Sequence, residues 1–170
     1  MRKIFVGLLF FFSGCGYTLR TVEKFDYHTI YIPVFQNKIN ISEDSPNRQI
    51  YYPGLEVELQ KVLKKRIRYE GTLVTVSEPE DADLTLEGEV LDFDRQALRY
   101  SEDEDVEEYR VSVKVRLKLY ERENLLWEDT LVGEDSYILA GSHAKTESQA
   151  VNDALEDLAI KIVDRIVENW

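Results

Sequence analysis

Apolar side chains recur along this chain with two periods, and the changes of period mark its elements. Tyr109–Tyr120 alternates strictly, with Val111, Val113, Val115, Leu117 and Leu119 on one side and Arg110, Ser112, Lys114, Arg116, Lys118 and Tyr120 on the other. That is the period of a half-buried strand. Leu84–Tyr100 reads as a longer strand whose alternation slips: Leu84, Leu86 and Val90 share one phase, Leu91, Phe93 and Ala97 the other. A slip of phase inside a strand predicts a β-bulge. Leu125–Tyr137, with Trp127 and Leu131, is a third such stretch, and Ser101–Glu108 and Glu121–Asn124 are the tips between them. Connections this short predict an antiparallel meander. Shorter strands are expected at His28–Phe35 and Thr72–Ser77, followed by a turn at Glu78–Asp81. Pro33 cannot donate to a ladder, so the first of these is expected at a sheet edge there.

Two segments carry the helical period. Within Gly54–Tyr69, Leu55, Leu59, Val62, Leu63 and Ile67 form one apolar stripe. Lys64, Lys65, Arg66 and Arg68 crowd its last turns, opposite the negative end of the macrodipole, and Gly71 stops it. Gln36–Pro53 before it and Ile138–Lys145 further on read as loops. Thr146-Glu147-Ser148-Gln149 matches a capping box. The final helix then sets Val151, Ala154, Leu155, Leu158, Ala159, Ile162, Val163, Ile166 and Trp170 on a wide apolar face. Each helix has one apolar face and there is no second sheet to cover. The expected fold is α+β: two helices packed on one face of a four- to five-stranded, mainly antiparallel (mixed) sheet, with the other face open.

The first residues follow a different logic. Met1-Arg2-Lys3 is basic, Ile4–Phe12 is a nine-residue apolar stretch, and Ser13-Gly14 precede the single cysteine, Cys15. The stretch is too short to span a bilayer and fits a secretory signal peptide. Phe12-Ser13-Gly14-Cys15 resembles a bacterial lipobox, with Phe where Leu is usual. That resemblance implies cleavage before Cys15 and acylation of its thiol, which two or more long acyl chains make a firm anchor. Gly16, rather than Asp, implies sorting to the outer membrane. The expected division is residues 1–14 as signal, 15–26 as a lipidated tether and 27–170 as one α/β sandwich domain.

Composition narrows the function. The chain has 170 residues and a formal net charge of −12. Loss of residues 1–14 removes Arg2 and Lys3 and no acid, leaving 19 bases, 33 acids and a net charge of −14. Such a balance argues against a general nucleic-acid partner, which needs a basic footprint. One cysteine permits no internal disulfide and no multi-cysteine metal site. There is no phosphate-binding glycine loop, no zinc-protease helix motif and no nucleophile elbow. Ser142 and His143 are adjacent, which does not supply the geometry of a triad. No enzyme activity, metal or cofactor is expected. Asp92 and Asp94 share a strand face and could hold a cation, or lie opposite Arg116 and Lys114 in cross-strand ion pairs, the reading we favour. The tip Ser101–Glu108 holds six acids in eight residues and reads as a solvated loop or a contact to a basic partner or bridging cations. The candidate contact surface is the outward phase of the Tyr109–Tyr120 strand. Four of its six positions, Arg110, Lys114, Arg116 and Lys118, are basic, with Arg95 and Arg99 expected to add from the neighbouring strand. Such a stripe can take phosphate or carboxylate groups. It can equally be consumed by Glu87, Glu89, Asp92 and Asp94 without any ligand.

Several segments in order resemble the lipopolysaccharide-assembly lipoprotein family, LptE. They are Cys15-Gly16-Tyr17-Thr18-Leu19-Arg20, Ile30-Tyr31-Ile32-Pro33-Val34-Phe35-Gln36-Asn37, Ala82-Asp83-Leu84-Thr85-Leu86-Glu87-Gly88, Glu108-Tyr109-Arg110-Val111, Leu126-Trp127 and the closing Ala-rich helix. The resemblance implies a non-enzymatic outer-membrane lipoprotein on the periplasmic side. It would plug and help assemble a large outer-membrane β-barrel of LptD type, and contact lipopolysaccharide on its way to the outer leaflet. A globule of this size has a radius of gyration of roughly 15 Å, so a barrel enclosing it needs on the order of 26 strands. Two other readings stay open: an envelope scaffold or lipid-binding lipoprotein without a barrel, and an enzyme built on Asp92 and Asp94.

Overall fold

The computed structural model describes residues 26–39 and 52–167. The expected signal, the expected acylation site Cys15, most of the expected tether and Trp170 lie outside the described residues. The elements are β1 (Thr29–Tyr31), β2 (Gln36–Asn37), α1 (Leu55–Glu70), β3 (Val74–Val76), a 3-10 turn (Pro79–Asp81), β4 (Leu84–Tyr100), β5 (Val106–Glu121), β6 (Asn124–Ile138) and α2 (Glu147–Val167). One mixed sheet runs β3-β1-β4-β5-β6, with β2 beside β4. β4, β5 and β6 are antiparallel, whereas β1 runs parallel to β3 and β4, and β2 parallel to β4. Both helices lie on one face: α2 crosses β5 and β6, and α1 packs on α2 and β3. The expected α+β architecture holds, with six strands instead of four or five.

Three local expectations change. β1 is interior, paired on both sides, and its ladder ends at Tyr31. Pro33 therefore lies beyond the ladder, between β1 and β2, where its missing N–H costs nothing, instead of inside an edge strand. β2 falls inside the stretch read as loop; two polar residues leave no periodicity to read. The acidic tip is also shorter than expected, because Val106–Glu108 already pair in β5.

The helix termini follow their sequences. Gly71 closes α1 in the left-handed region (φ 74), donating its N–H to the Ile67 carbonyl at 3.0 Å. At α2 the capping box forms in both directions: the Gln149 N–H donates to Thr146 Oγ1 (3.2 Å), and the Thr146 N–H donates to Gln149 Oε1 (2.9 Å). Thr146→Ala is expected to lower stability by about 1 kcal/mol, read as a shift of the urea midpoint without a change of slope.

The core is the valine-rich phase of β5 against the two helix stripes. Val111, Val113, Val115, Leu117 and Leu119 are all fully buried, as are Leu55, Leu59, Leu63, Leu155, Leu158 and Ile162. α2 comes so near β6 that a Cβ on Gly133 would overlap the Ala154 carbonyl and the Leu158 side chain, and sit 2.8 Å from the Leu158 nitrogen. At the same place α2 covers β6's outer edge. Asp157 accepts the Glu134 N–H (3.0 Å), and Lys161 donates to the Val132 carbonyl (2.9 Å). Backbone groups that would otherwise invite another strand are thereby occupied.

Asp83 carries a further structural load. Its carboxylate accepts the N–H groups of His28 (2.8 Å) and Thr29 (3.0 Å), fixing the entry to β1. Those backbone hydrogen bonds hold its pKa below the usual carboxylate value. Asp129 is likewise lowered, chiefly by the hydrogen bond from Arg165. A depressed folded pKa contributes stability that is complete above the unfolded carboxylate value of about 3.9 and lost as pH falls through the folded one. Unfolding midpoints should therefore be insensitive to these two groups above about pH 5 and drop below about pH 4. Asp83→Asn should flatten part of that drop; an unchanged acid limb would count against its role.

Candidate functional site

The face of the sheet turned away from the helices is the candidate site. On β5 it carries Arg110, Ser112, Lys114, Arg116, Lys118 and Tyr120, because their neighbours in the alternation are buried under the helices. Register decides what stands beside them. From β4 come Gln96 opposite Arg110, Asp94 opposite Ser112, Asp92 opposite Lys114, Glu89 opposite Arg116 and Glu87 opposite Lys118. From β6 come Glu134 opposite Ser112, Val132 opposite Lys114, Thr130 opposite Arg116 and Glu128 opposite Lys118.

This row of bases is interleaved with acids. Arg116 bonds Glu89 at 3.0 Å and lies 3.8 Å from Glu128; Lys118 lies 4.0 Å from Glu128. Arg110 donates to Gln96 Oε1 (2.8 Å) and lies 3.7 Å from Glu134. Six acids, Glu87, Glu89, Asp92, Asp94, Glu128 and Glu134, therefore flank four bases, and the face is not a cationic surface. Lys114 is the exception. It is exposed, sits beside Val132, and makes no ion pair among the described residues. The expected placing of Asp92 and Asp94 opposite Arg116 and Lys114 shifts by register: Asp92 stands opposite Lys114 and Asp94 opposite Ser112, while Arg116 falls to Glu89.

The remaining two arginines part company. Val90 pairs with Val115 and Asp92 with Lys114, so Leu91 is the extra residue of the expected bulge. One inserted residue turns every following side chain to the other face. Phe93 thereby enters the core, and Arg95 turns under α2 instead of joining the stripe. It bonds Glu147 (2.6 Å) and lies 5.0 Å over the Tyr109 ring, which stacks on Tyr137. Burial disfavours its charge, but the hydrogen bond and charge of Glu147 outweigh this and hold its pKa above the ordinary arginine value. Tyr137 is raised by burial and by the same carboxylate. A second register shift between Ala97 and Arg99 turns Arg99 back, where it meets Glu107 (3.0 Å) and Glu108 (3.9 Å) at the tip.

The face carries a small cleft of about 50 Å³ at Gln36, Glu87, Glu89, Arg116 and Lys118. Asp92 and Asp94 belong to this face, and no group of three or more His, Cys, Asp or Glu residues suited to a metal occurs among the described residues. The surface suits a broad polar contact. Sequence reasoning missed Asp83, Gly133 and the Asp157–Lys161 pair, whose roles depend on partners more than 20 residues away.

Comparison with known proteins bears on this architecture. A family model described as LptE, lipopolysaccharide-assembly, matches residues 27–169. No curated protein matches the chain significantly. Among solved structures, a hypothetical protein of Chlamydia trachomatis is similar with a TM-score of 0.54 at 13% identity, covering 82% of this chain and 95% of that one. Rare lipoprotein B of Shewanella oneidensis gives 0.51 at 12% identity, covering 83% and 95%. Lipoprotein B of Nitrosomonas europaea gives 0.52 at 15% identity, covering 82% of each. At such identities these likenesses speak for the shared fold alone. The family match spans the whole described domain, from the entry to β1 to the end of α2, and the chain belongs to the LptE family of lipopolysaccharide assembly.

Proposed function

We propose that this protein is an outer-membrane lipoprotein, anchored through acylated Cys15 on the periplasmic side, that plugs and helps assemble the lipopolysaccharide-translocating β-barrel. Family membership supports the process. The observation that carries the mode of action is the long sheet face that neither helix covers, with its alternating charges. A polar barrel lumen offers partners to both signs, and an interleaved face matches such a wall better than it matches a purely anionic ligand. No step of bond making is assigned to it. Lipopolysaccharide contact then falls to Lys114, with Arg110, Arg116, Lys118 and Arg99 available only as their acidic partners release them. Arg95 lies on the other face and is not part of this surface.

The test is recovery of the C-terminally tagged chain from outer membranes in mild detergent. A large β-barrel recovered one-to-one supports the plug; the lipoprotein alone, or with a periplasmic protein, favours the scaffold reading. Lys114→Glu is expected to lower co-purified lipopolysaccharide about tenfold, roughly 1.4 kcal/mol, while leaving the urea midpoint unchanged. Equal retention by this variant would remove Lys114 from the contact.

A further inference from the structure

The last turns of α1 carry charge opposite in sign to the molecule as a whole. Lys61, Lys64, Lys65, Arg66 and Arg68 fall within eight residues of a chain with net charge −12. Lys61 is engaged by Glu58 and Lys65 by Glu156, both at 3.0 Å. Lys64 and Arg68 make no ion pair among the described residues. Lys61, Lys64 and Arg68 lie about one turn apart on one face of the helix.

Next to that face, α1 and α2 leave a groove of about 230 Å³. Val62, Ala159 and Ile160 line its apolar part, Lys65, Arg66 and Glu156, the partner of Lys65, its charged rim, and Tyr69 its end. Tyr69 is 82% exposed and Ile160 39%. Arg66 lies 5.5 Å over the Tyr69 ring and meets Glu70 through Nη2 at 3.5 Å, but its Nε is buried without a hydrogen-bond partner among the described residues. Buried N–H groups ordinarily have partners, and an arginine guanidinium can take a phosphate through two parallel hydrogen bonds, with a lysine adding point charge. An apolar trough continuous with such a unit fits an amphiphile.

We propose that this groove binds an anionic phospholipid, its phosphate on Arg66 and Lys65 and one acyl chain along Val62, Ala159 and Ile160. Lys64 and Arg68 add attraction at short range. The net negative charge of the chain confines that attraction to about a Debye length, roughly 8 Å, so contact requires the membrane to be held near. Position supplies this. The Val74 N–H donates to the His28 carbonyl at 2.8 Å, so the chain enters the fold at the end of the molecule where α1 finishes. Resting on the lipoprotein reading, an anchor at Cys15 lies 13 residues before His28, at most about 45 Å of extended chain.

The groove itself is testable without the anchor. The isotope-labelled chain beginning at residue 15 and carrying Cys15→Ser keeps every described residue. It is titrated with dihexanoyl phosphatidylglycerol below its micellar concentration and followed by amide chemical shifts. Saturable shifts are expected over Val62–Tyr69 and Glu156–Ile160, with the zwitterionic phosphatidylcholine of equal chain length about threefold weaker. Arg66→Gln should weaken binding about fivefold or more, and Glu156→Gln, which frees Lys65, should tighten it. Shifts confined to β5, no shifts, or an affinity indifferent to both substitutions would overturn the proposal. Recovery of a barrel partner bears on the sheet face alone, so either idea can fail while the other stands.

Discussion

Gly133→Ala is expected to cost about 3–5 kcal/mol, a large part of the stability of a domain this size. One added methyl group rarely does this. Here it has nowhere to go, because its position is already taken by the Ala154 carbonyl and the Leu158 side chain of α2. Both belong to a fully buried helix face, on which Ala154, Leu155 and Leu158 have no exposure. Relief requires lifting α2 from β6 or bending the strand. Lifting the helix would also loosen Asp157 from the Glu134 N–H and Lys161 from the Val132 carbonyl, and reopen the sheet edge. The substituted chain should therefore unfold at much lower urea and self-associate, seen by light scattering of the eluting species. A midpoint shift under about 1 kcal/mol would mean that α2 does not seat on Gly133 in solution.

On the lipoprotein reading proposed above, Cys15→Ser is expected to remove the protein's own hold on the membrane, leaving only what a barrel partner retains. The driving force lost is that of the acyl chains, about 0.8 kcal/mol for each buried methylene. One medium-length chain gives marginal binding, whereas two or more hold the protein for practical purposes permanently. No helix of the described residues is long and apolar enough to cross a membrane, so no other span among them offers to replace it. The measurement is fractionation of cells expressing each form, with intact mass of the purified protein. The parent chain should begin at residue 15 with added acyl mass and stay with the outer membrane; the serine form should carry no acyl mass and, when made in excess over a barrel partner, appear in the soluble periplasmic fraction. A parent chain of unmodified mass would end the lipoprotein reading, while leaving family membership, which rests on residues 27–169, untouched.

The amino-acid order alone carried a good deal of this molecule. The strict alternation of Tyr109–Tyr120 determined which five side chains of β5 would be buried, and all five are. Stripes at helical spacing located both helices, Gly71 ended the first and Thr146 with Gln149 began the second. The slipped phase of β4 announced a bulge, which the register places at Leu91. Each of these signals is local: side chains two, three or four residues apart share a face whatever the rest of the chain does.

Pairing between distant segments was decided by the tertiary structure. The bulge at Leu91 and the second shift near Leu98 sent Arg95 to Glu147 and Arg99 to Glu107, although the two arginines are only four residues apart. Register gave Arg116 to Glu89 and left Lys114 beside Val132, which turned a basic stripe into an interleaved face. The inward place of β1, the contact of Gly133 with α2 and the groove beside Arg66 have the same origin. The physical reason is that periodicity states which way a side chain points relative to its neighbours. What it meets there depends on which strand and which residue arrive opposite, and that is set by the packing of the whole domain.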